Sequence, residues 1–203
     1  MTIAAIVLAA GLGTRFGAAP KCLARFDGRP LVRRAVEAAL AGGADPAIVV
    51  TGRAGDAVAE ALDGLVHTRI HNDAPERGLA SSLRLGFAAL PEAATGALVL
   101  LADMPLISAE TIAALIAAQS AHPDAAAIVP VHAGRRGNPV LLARRLAPEI
   151  AALSGDAGAG PLLRAREDVV ALPVDDPGIL VDVDTPEALA ALIEDWRGAR
   201  GEA

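Results

Sequence analysis

Apolar residues fall along the chain in short continuous runs that alternate with segments of helical spacing. A strand covered on both faces is apolar at nearly every position, whereas a surface helix is apolar on one side only. The continuous runs predict strands over residues 3–8, 47–51, 65–70, 97–102, 126–131, 169–174 and 179–183. The helical spacing predicts helices over residues 30–40, 55–62, 81–90, 108–118 and 185–196.

Strands that alternate with helices form a mostly parallel sheet with helices on both faces. The pattern therefore predicts a three-layer, Rossmann-like α/β fold. Neither an internal repeat nor an interdomain linker interrupts it, so residues 1–197 are expected to form a single domain. Residues 198–203 are expected to form a frayed C-terminal tail.

Composition narrows the classes of function. Hydrophobic residues make up 53% of the 203 residues and aromatic residues only 2%, so small aliphatic side chains must fill the core. The 18 basic and 24 acidic residues give a net charge of −6 without a basic stripe, which argues against nucleic-acid or membrane binding. The lone Cys22 excludes an internal disulfide and a cysteine-built zinc site. Since the chain shows neither a basic leader nor a membrane-spanning apolar run, the cytoplasm is the expected compartment.

Ligands of such sheets bind at the carboxyl ends of the strands, and four loops there carry unusual residues. In the first loop, Gly11, Gly13 and Gly17 allow tight turns that point N–H groups at a triphosphate. Arg15 can bind two oxygens through its fork, and Lys21 supplies a compact point charge. The glycine spacing fits neither the dinucleotide fingerprint nor a P-loop. The alternative is an ordinary glycine turn with solvated cations.

The second loop leads from Asn72 through Gly78 to Ser81 and Ser82 at the start of a predicted helix. Serine hydroxyls and the first N–H groups of a helix can hydrogen-bond a base edge or a sugar hydroxyl. The alternative is a serine that only caps its helix.

The third and fourth loops carry carboxylates. Asp103 ends an apolar strand, where a buried carboxylate needs a partner such as Mg²⁺. Asp182 and Asp184 lie two residues apart on a predicted strand, so they would share a face and could reach the same metal. Alternatively, Asp184 caps the helix that begins near Pro186.

These loops, taken in order, resemble the motifs of one superfamily. Leu-Ala-Ala-Gly-x-Gly-x-Arg-x-Gly at 8–17, followed by Pro-Lys at 20–21, resembles the signature loop of the nucleotidyltransferases. Gly-Leu-Ala-Ser-Ser-Leu at 78–83 resembles a motif of the molybdenum cofactor cytidylyltransferases. Asp-Met-Pro at 103–105 and Asp-x-Asp-Thr-Pro-Glu at 182–187 resemble the metal-binding motifs. The chain is thus similar to the MobA-like NTP transferases and is expected to share their nucleotidyltransferase fold.

The resemblance implies a role for individual residues. The implied nucleotide-binding residues are Ala10, Gly11, Gly13, Arg15, Lys21, Asn72, Gly78, Ser81 and Ser82. The implied catalytic residues are Lys21, Arg15 and Asp103, and the implied metal ligands are Asp103 and Asp184. Asn138 and Asp156 are the implied acceptor-binding residues.

The implied reaction is Mg²⁺-dependent transfer of CMP from CTP to a phosphorylated acceptor, with molybdopterin or its metal-loaded form as that acceptor. The acceptor phosphate attacks the α-phosphorus in line and pyrophosphate leaves, so catalysis comes from positioning and charge neutralisation. A molybdoenzyme or chaperone is the protein partner that this role implies. The chain departs from the family at Gly160, where an arginine is usual; Arg164 or Arg166 could supply that cation.

Several alternatives share parts of this pattern. An isoprenoid-pathway or sugar-phosphate transferase shares the first loop but fits the second and third loops less well. A guanylyl or other NTP transferase of the same superfamily is a further alternative. A nicotinamide-dependent reductase could use the same type of sheet, although residues 51–53 (Thr-Gly-Arg) after the second strand lack the acid that holds a ribose diol. A nucleotide-binding module without turnover would not need Lys21 and Asp103.

Overall fold

The computed structural model describes residues 2–11, 13–17 and 20–201 of the chain. The strands found within these residues are β1 (Thr2–Ala9), β2 (Arg25–Phe26), β3 (Arg29–Pro30), β4 (Ala47–Thr51), β5 (Thr68–His71), β6 (Ala94–Leu101), β7 (Ala127–His132), β8 (Arg135–Arg136), β9 (Val140–Ala143) and β10 (Val169–Pro173). The α-helices are α1 (Leu31–Ala41), α2 (Gly55–Ala61), α3 (Leu79–Ala88), α4 (Ala109–Ala121), α5 (Ala147–Ala151), α6 (Gly160–Arg164) and α7 (Pro186–Arg200).

Eight of these strands form one sheet. Its order is β10-β7-β9-β6-β1-β4-β5, and β8 pairs with β7 at the side. β1 pairs in parallel with β4 and β6, β4 with β5, and β7 with β10. β9 is antiparallel to both β6 and β7, and β8 is antiparallel to β7. The mostly parallel sheet predicted from the sequence is therefore confirmed.

The central strand β1 is buried on both faces because its side chains alternate between two cores. Val7 packs into one core together with Val36 of α1 and Leu115 of α4. Ile6, one position earlier, packs into the opposite core together with Leu83 of α3. Helices therefore cover both faces of the sheet, which confirms the three-layer architecture.

A third, smaller cluster lies beside the sheet and is called here the α7 cluster. It consists of Phe26, Leu31, Val183 and Leu189, with Phe16 and Trp196 among the residues packed against it. The rings of Phe26 and Trp196 meet edge to face, with centroids 5.6 Å apart. The cluster joins the segment that follows the first loop to the segment just before Asp184. It therefore holds two of the predicted site loops in a fixed relation.

The predicted strand over residues 179–183 is wrong. The chain forms a 3-10 helix at Pro177–Leu180 instead, because the Asp176 side chain accepts a hydrogen bond from the Gly178 N–H and proline occupies the first turn. The backbone beyond it is joined to the segment after β6 by a hydrogen bond, which Val183 N–H donates to the Asp103 carbonyl at 3.0 Å. Asp182 and Asp184 therefore do not lie on a strand, and the shared-face argument for them does not hold.

Other boundaries also differ from the predictions. The short β2–β3 hairpin and the antiparallel β8 and β9 were not predicted. α7 continues through Arg200, so a frayed tail beginning at residue 198 is wrong for 198–200. Met1 of the predicted domain and residues 202–203 of the predicted tail lie outside the described residues. Within the described ranges, no helix has the length and apolar character needed to cross a membrane.

Candidate active site

A cleft of about 560 Å³ opens at the carboxyl ends of β1 and β6. It brings together most of the predicted site residues, namely Ala10, Gly11, Gly13, Arg15, Lys21, Gly78, Ser82, Asp103, Asp156 and Asp184. These residues come from every one of the four predicted loops and from the segment near Gly155. The position agrees with the general rule for ligand sites of parallel sheets.

Lys21 lies at the centre of the charged groups in the cleft. Its Nζ is 2.6 Å from Asp103 Oδ2 and 2.9 Å from Asp184 Oδ1. Burial lowers the pKa of Lys21, but hydrogen bonds to the two carboxylates and their negative charge outweigh that effect and leave the pKa raised. The ammonium is therefore charged at neutral pH and is held between the β6 end and the segment before α7.

Asp184 is the more exposed of the two carboxylates. The hydrogen bond and charge of Lys21 lower its pKa, and Arg15 Nη1 approaches its second oxygen at 3.3 Å. Asp184 does not cap α7, because the Thr185 side chain accepts the hydrogen bond from Ala188 N–H. Asp182 is exposed and is not among the described residues that line the cleft.

The two carboxylates fit a divalent cation. Asp103 Oδ1 is buried and has no hydrogen-bond partner among the described residues, so one oxygen of this carboxylate is available as a ligand. Asp184 stands on the opposite side of the Lys21 ammonium. No group of three or more His, Cys, Asp or Glu side chains in the described part of the chain is arranged to hold a metal. The site therefore suits a cation, such as Mg²⁺, that completes its coordination with phosphate oxygens.

The partner of Asp103 differs from the expectation. The sequence suggested a carboxylate that depends on a metal for compensation, whereas the structure pairs it with Lys21. Ser108 caps α4, as predicted, and accepts from Thr111 N–H. Asp103 is thus free of a capping role.

The start of α3 is built around Asn72. This buried amide donates to Ser81 Oγ at 2.8 Å and to Ser82 Oγ at 2.9 Å, while its oxygen accepts from Ala74 N–H. Ser81 also donates to the Gly78 carbonyl. Of this group, Ser82 and Gly78 line the cleft, whereas Asn72 and Ser81 are buried and are not among its described lining residues. The hydrogen bonds of Asn72 hold the two serines in place, and the nucleotide contact implied for Asn72 and Ser81 stays a prediction.

Glycine is required at position 78, just before α3, because of the backbone conformation there and because neighbouring atoms leave no space for a side chain. The Gly78 φ of 86° is in the left-handed region, and a Cβ atom there would lie 2.5 Å from Asp156 Oδ1. Ala80 N–H donates to the Gly155 carbonyl at 3.1 Å. The 155–156 turn therefore packs directly on the start of α3, which explains why Asp156 lines the cleft.

The predicted acceptor residues separate in the structure. Asp156 lies in the cleft just described, whereas Asn138 lines a second cavity next to it. Among the cleft residues that the sequence argument did not select are Pro75, Glu76, Leu79 and Leu101. The first three lie close to Gly78 in the sequence, so the selection of Gly78 could have indicated them as well. Leu101 is hidden in an apolar strand pattern.

Cys22 is not a candidate nucleophile. Its thiol is buried next to Lys21, and burial raises its pKa to about 11. A thiol with a raised pKa is a poor nucleophile at neutral pH.

Comparison with known proteins agrees with the fold and the cleft. Residues 5–171 match the MobA-like NTP transferase domain. The chain is 32% identical over 197 residues to Nicotine blue oxidoreductase of Paenarthrobacter nicotinovorans, covering 94% of this chain and 96% of that protein. It resembles the crystal structure of Rv0371c from Mycobacterium tuberculosis H37Rv with a TM-score of 0.82 and 32% identity, covering 96% and 99% of the two chains. A nucleotidyl transferase from Methanothermobacter thermautotroptrophicus gives a TM-score of 0.80 at 26% identity, covering 98% and 99%.

The class that fold and cleft define is a nucleotidyltransferase of the α/β type. The chain belongs to the MobA-like NTP transferase domain family, as its resemblance in sequence predicted. Enzymes of this family use divalent metals, and Rv0371c has also been solved as a complex with manganese.

Proposed function

We propose that the protein transfers CMP from CTP to a phosphorylated acceptor with Mg²⁺ as its metal ion and releases pyrophosphate. The observation that carries the proposal is the arrangement of Lys21 between Asp103 and Asp184 at the bottom of the cleft. A cation flanked by two carboxylates, one with an unpartnered buried oxygen, is suited to a metal-bound triphosphate.

Each residue has a definite task in this reaction. Asp103 and Asp184 would hold the metal, which supplies charge neutralisation for the triphosphate when it is bound. Lys21 orients both carboxylates and donates hydrogen bonds to phosphate oxygens that enter between them. Arg15, whose side chain is 71% exposed, can swing onto the departing pyrophosphate. The chain needs no nucleophile of its own, because the acceptor phosphate attacks the α-phosphorus.

The choice of CTP rests on the wall of the cleft formed by α3. Ser82 presents a hydroxyl whose position is fixed by Asn72, and the backbone of Gly78 lines the same wall of the cleft. Such groups read the edge of a small base by hydrogen bonding. The resemblance of 78–83 to the cytidylyl variant of this segment supports cytosine as that base and molybdopterin as the first acceptor to be tested.

The experiment is a thermal-shift panel followed by turnover. With Mg²⁺ present, CTP should raise the Tm more than GTP, ATP or UTP, because a ligand that binds only the folded state stabilises it. Pyrophosphate release should then depend on CTP, Mg²⁺ and a phosphorylated acceptor together. A clear preference for GTP would overturn the cytidylyl assignment and leave the transferase class intact.

A second candidate is a redox reaction, and the observation that favours it is the near full-length similarity to a protein named as an oxidoreductase. A nicotinamide dinucleotide would have to bind the same cleft, where Asp103, Asp184, Glu76 and Asp156 concentrate negative charge. The same panel decides the matter, because stabilisation by NADPH without Mg²⁺ would favour the redox candidate over the transferase.

A further inference from the structure

A second cavity of about 390 Å³ lies beside the nucleotide cleft. The two share Leu8, Leu79 and Leu101 as a common wall, so a molecule in the second cavity lies directly next to a nucleotide in the first. The cavity is bounded by α3 on one side and by α6 on the other. A transferase must hold its acceptor against the nucleotide, and this cavity provides the space to do so.

Aliphatic side chains form most of this cavity. Among them are Leu83, Val99, Val129, Val140 and Leu163. No carboxylate and no aromatic side chain is among its lining residues in the described part of the chain. Asn138 is the neutral polar side chain among these lining residues, so a flat heterocycle with many donors and acceptors would find few side-chain partners, and each unpaired group is costly. The wall instead suits a compact apolar body.

Two arginines and the amide of Asn138 interrupt the aliphatic lining. Neither the Arg136 nor the Arg164 guanidinium has a hydrogen bond or an ion pair within residues 2–11, 13–17 and 20–201. The Arg164 Nη1 lies 3.7 Å from the position that a Cβ atom at Gly160 would take, so this guanidinium occupies the space above Gly160. Arg166 is committed elsewhere, since it forks onto Asp168 and reaches Glu149. The cavity therefore presents two cations that have no partner among the described residues at a mostly apolar surface.

We propose that this cavity binds the acceptor, and that the acceptor is a phosphate carried on a compact apolar body. Arg136 and Arg164 bind the phosphate through charge-assisted hydrogen bonds, and the aliphatic wall covers the body. The inference rests on the proposed function, because it names the substrate class of that reaction. The molybdopterin implied by the resemblance is the competing acceptor, and it differs in having a pterin with a polar edge, whereas an apolar body needs few hydrogen bonds from this lining.

The test uses isothermal titration calorimetry of the whole chain without nucleotide. It compares two pairs of probes, and the two members of each pair carry the same anionic group. Phenyl phosphate is compared with glycerol 3-phosphate, and benzoate with pterin-6-carboxylate. We expect phenyl phosphate to bind about tenfold or more tightly than glycerol 3-phosphate, and benzoate more tightly than pterin-6-carboxylate. Tighter binding of glycerol 3-phosphate, or of pterin-6-carboxylate, would overturn the apolar acceptor.

The arginines are tested with the same titration. Arg136→Ala and Arg164→Ala should each weaken phenyl phosphate binding by about tenfold, as expected for the loss of a charged hydrogen bond. Arg135→Ala is the matched control, because this exposed neighbour on β8 is not among the residues that line the cavity. Wild-type affinity in both Arg136→Ala and Arg164→Ala would overturn the phosphate site.

The failure of this inference is distinguishable from the failure of the proposed function. The titration contains no nucleotide, and its Arg136→Ala and Arg164→Ala arms report the second cavity, because neither arginine is among the described residues that line the nucleotide cleft. Stabilisation by CTP and Mg²⁺ reports the nucleotide cleft only. Loss of the CTP effect with intact phenyl phosphate binding would contradict the cytidylyl assignment and keep the cavity assignment.

Discussion

The Nζ of Lys21 lies 2.6 Å from Asp103 Oδ2, and the two side chains are about equally shielded, at 19% and 21% exposure. The same ammonium reaches Asp184 on the other side. Without a bound nucleotide, the lysine thus neutralises the two carboxylates that would otherwise repel each other. A divalent cation entering the site must compete with this ammonium, which couples metal binding to the position of Lys21.

Replacing Lys21 should separate metal binding from turnover. Lys21→Ala removes the cation between Asp103 and Asp184, so Mg²⁺ should bind the nucleotide-free protein more tightly than in the wild type. Turnover should fall about a hundredfold or more, because the charge that stabilises the transferred phosphates is gone. Titration of Mg²⁺ with calorimetry and a pyrophosphate assay measure the two effects.

The matched control for this variant is Arg15→Ala, which removes a more exposed cation from the same cleft. It should leave Mg²⁺ affinity without nucleotide nearly unchanged. Weaker Mg²⁺ binding in Lys21→Ala than in the wild type would contradict the competition between the ammonium and the metal.

The two carboxylates should differ in their effect on turnover. Asp103→Asn and Asp184→Asn should both weaken Mg²⁺-dependent pyrophosphate release, and Asp103→Asn should be more severe because its buried oxygen is the ligand without another partner. Stability should fall by about 1 kcal/mol at most, since Lys21 retains one carboxylate in either variant. Pyrophosphate release measured against Mg²⁺ concentration, with apo melting curves, checks both expectations. An unchanged Mg²⁺ dependence in Asp103→Asn would place the metal elsewhere.

The sequence was sufficient for the central strands β1, β4 and β6, because they are apolar at successive positions, but it missed β9, which lies between β6 and β7. β1 is buried on both faces, and a run of residues that is apolar at every position is typical of a strand covered by helices on both sides. The segment at 179–183 has a similar apolar pattern yet forms no strand, since Asp176 and Pro177 start a 3-10 turn before it. The hydrogen bond of the Asp176 side chain therefore determines the conformation of this segment, which the apolar pattern alone did not predict.

The site was predictable as a set of loops but not as a set of contacts. Lys21 and Asp103 could be placed at the carboxyl edge of the sheet by position, whereas Asp184 was placed there by its motif and by a predicted strand that does not form. The sequence alone does not show that Lys21 links the two carboxylates, because this depends on the α7 cluster bringing distant segments together. Asn72 illustrates the opposite case, since its residue type suits a ligand contact while its buried amide is already bonded to Ser81 and Ser82.

Ser81 and Ser82 should respond differently to the same change. Ser82→Ala removes a hydroxyl that lines the cleft, so KM for the nucleotide should rise by about fivefold, the equivalent of one ordinary hydrogen bond. Ser81→Ala removes a hydroxyl behind the wall, so the free energy of unfolding should fall by about 1 kcal/mol while KM changes little. Each variant serves as the control for the other, and steady-state kinetics with thermal melts give both quantities. Equal KM values for the two variants would contradict the assignment of Ser82 to the ligand side.

Asp168 gives a pH-dependent contribution to stability away from the site. Hydrogen bonds from Arg166 and then Arg145 hold the pKa of Asp168 well below its usual range. A carboxyl group whose pKa is lowered by folding stabilises the folded state above its unfolded pKa, and this contribution is lost as the pH falls through the folded pKa. Asp168→Asn should therefore lower the Tm at neutral pH, and the difference from the wild type should shrink only at pH values below the ordinary range of an aspartate.

Thermal melts of the wild type and Asp168→Asn across an acidic pH series measure this difference. Asp124→Asn is the matched control, because the Arg145 side chain contacts the Asp124 carbonyl and not its carboxylate. That variant should follow the wild-type curve at every pH. A constant difference between Asp168→Asn and the wild type down to the lowest pH at which the protein stays folded would show that Asp168 acts through packing. A difference that closes on acidification assigns the effect to the charge that Asp168 presents to Arg166 and Arg145 at the start of β10.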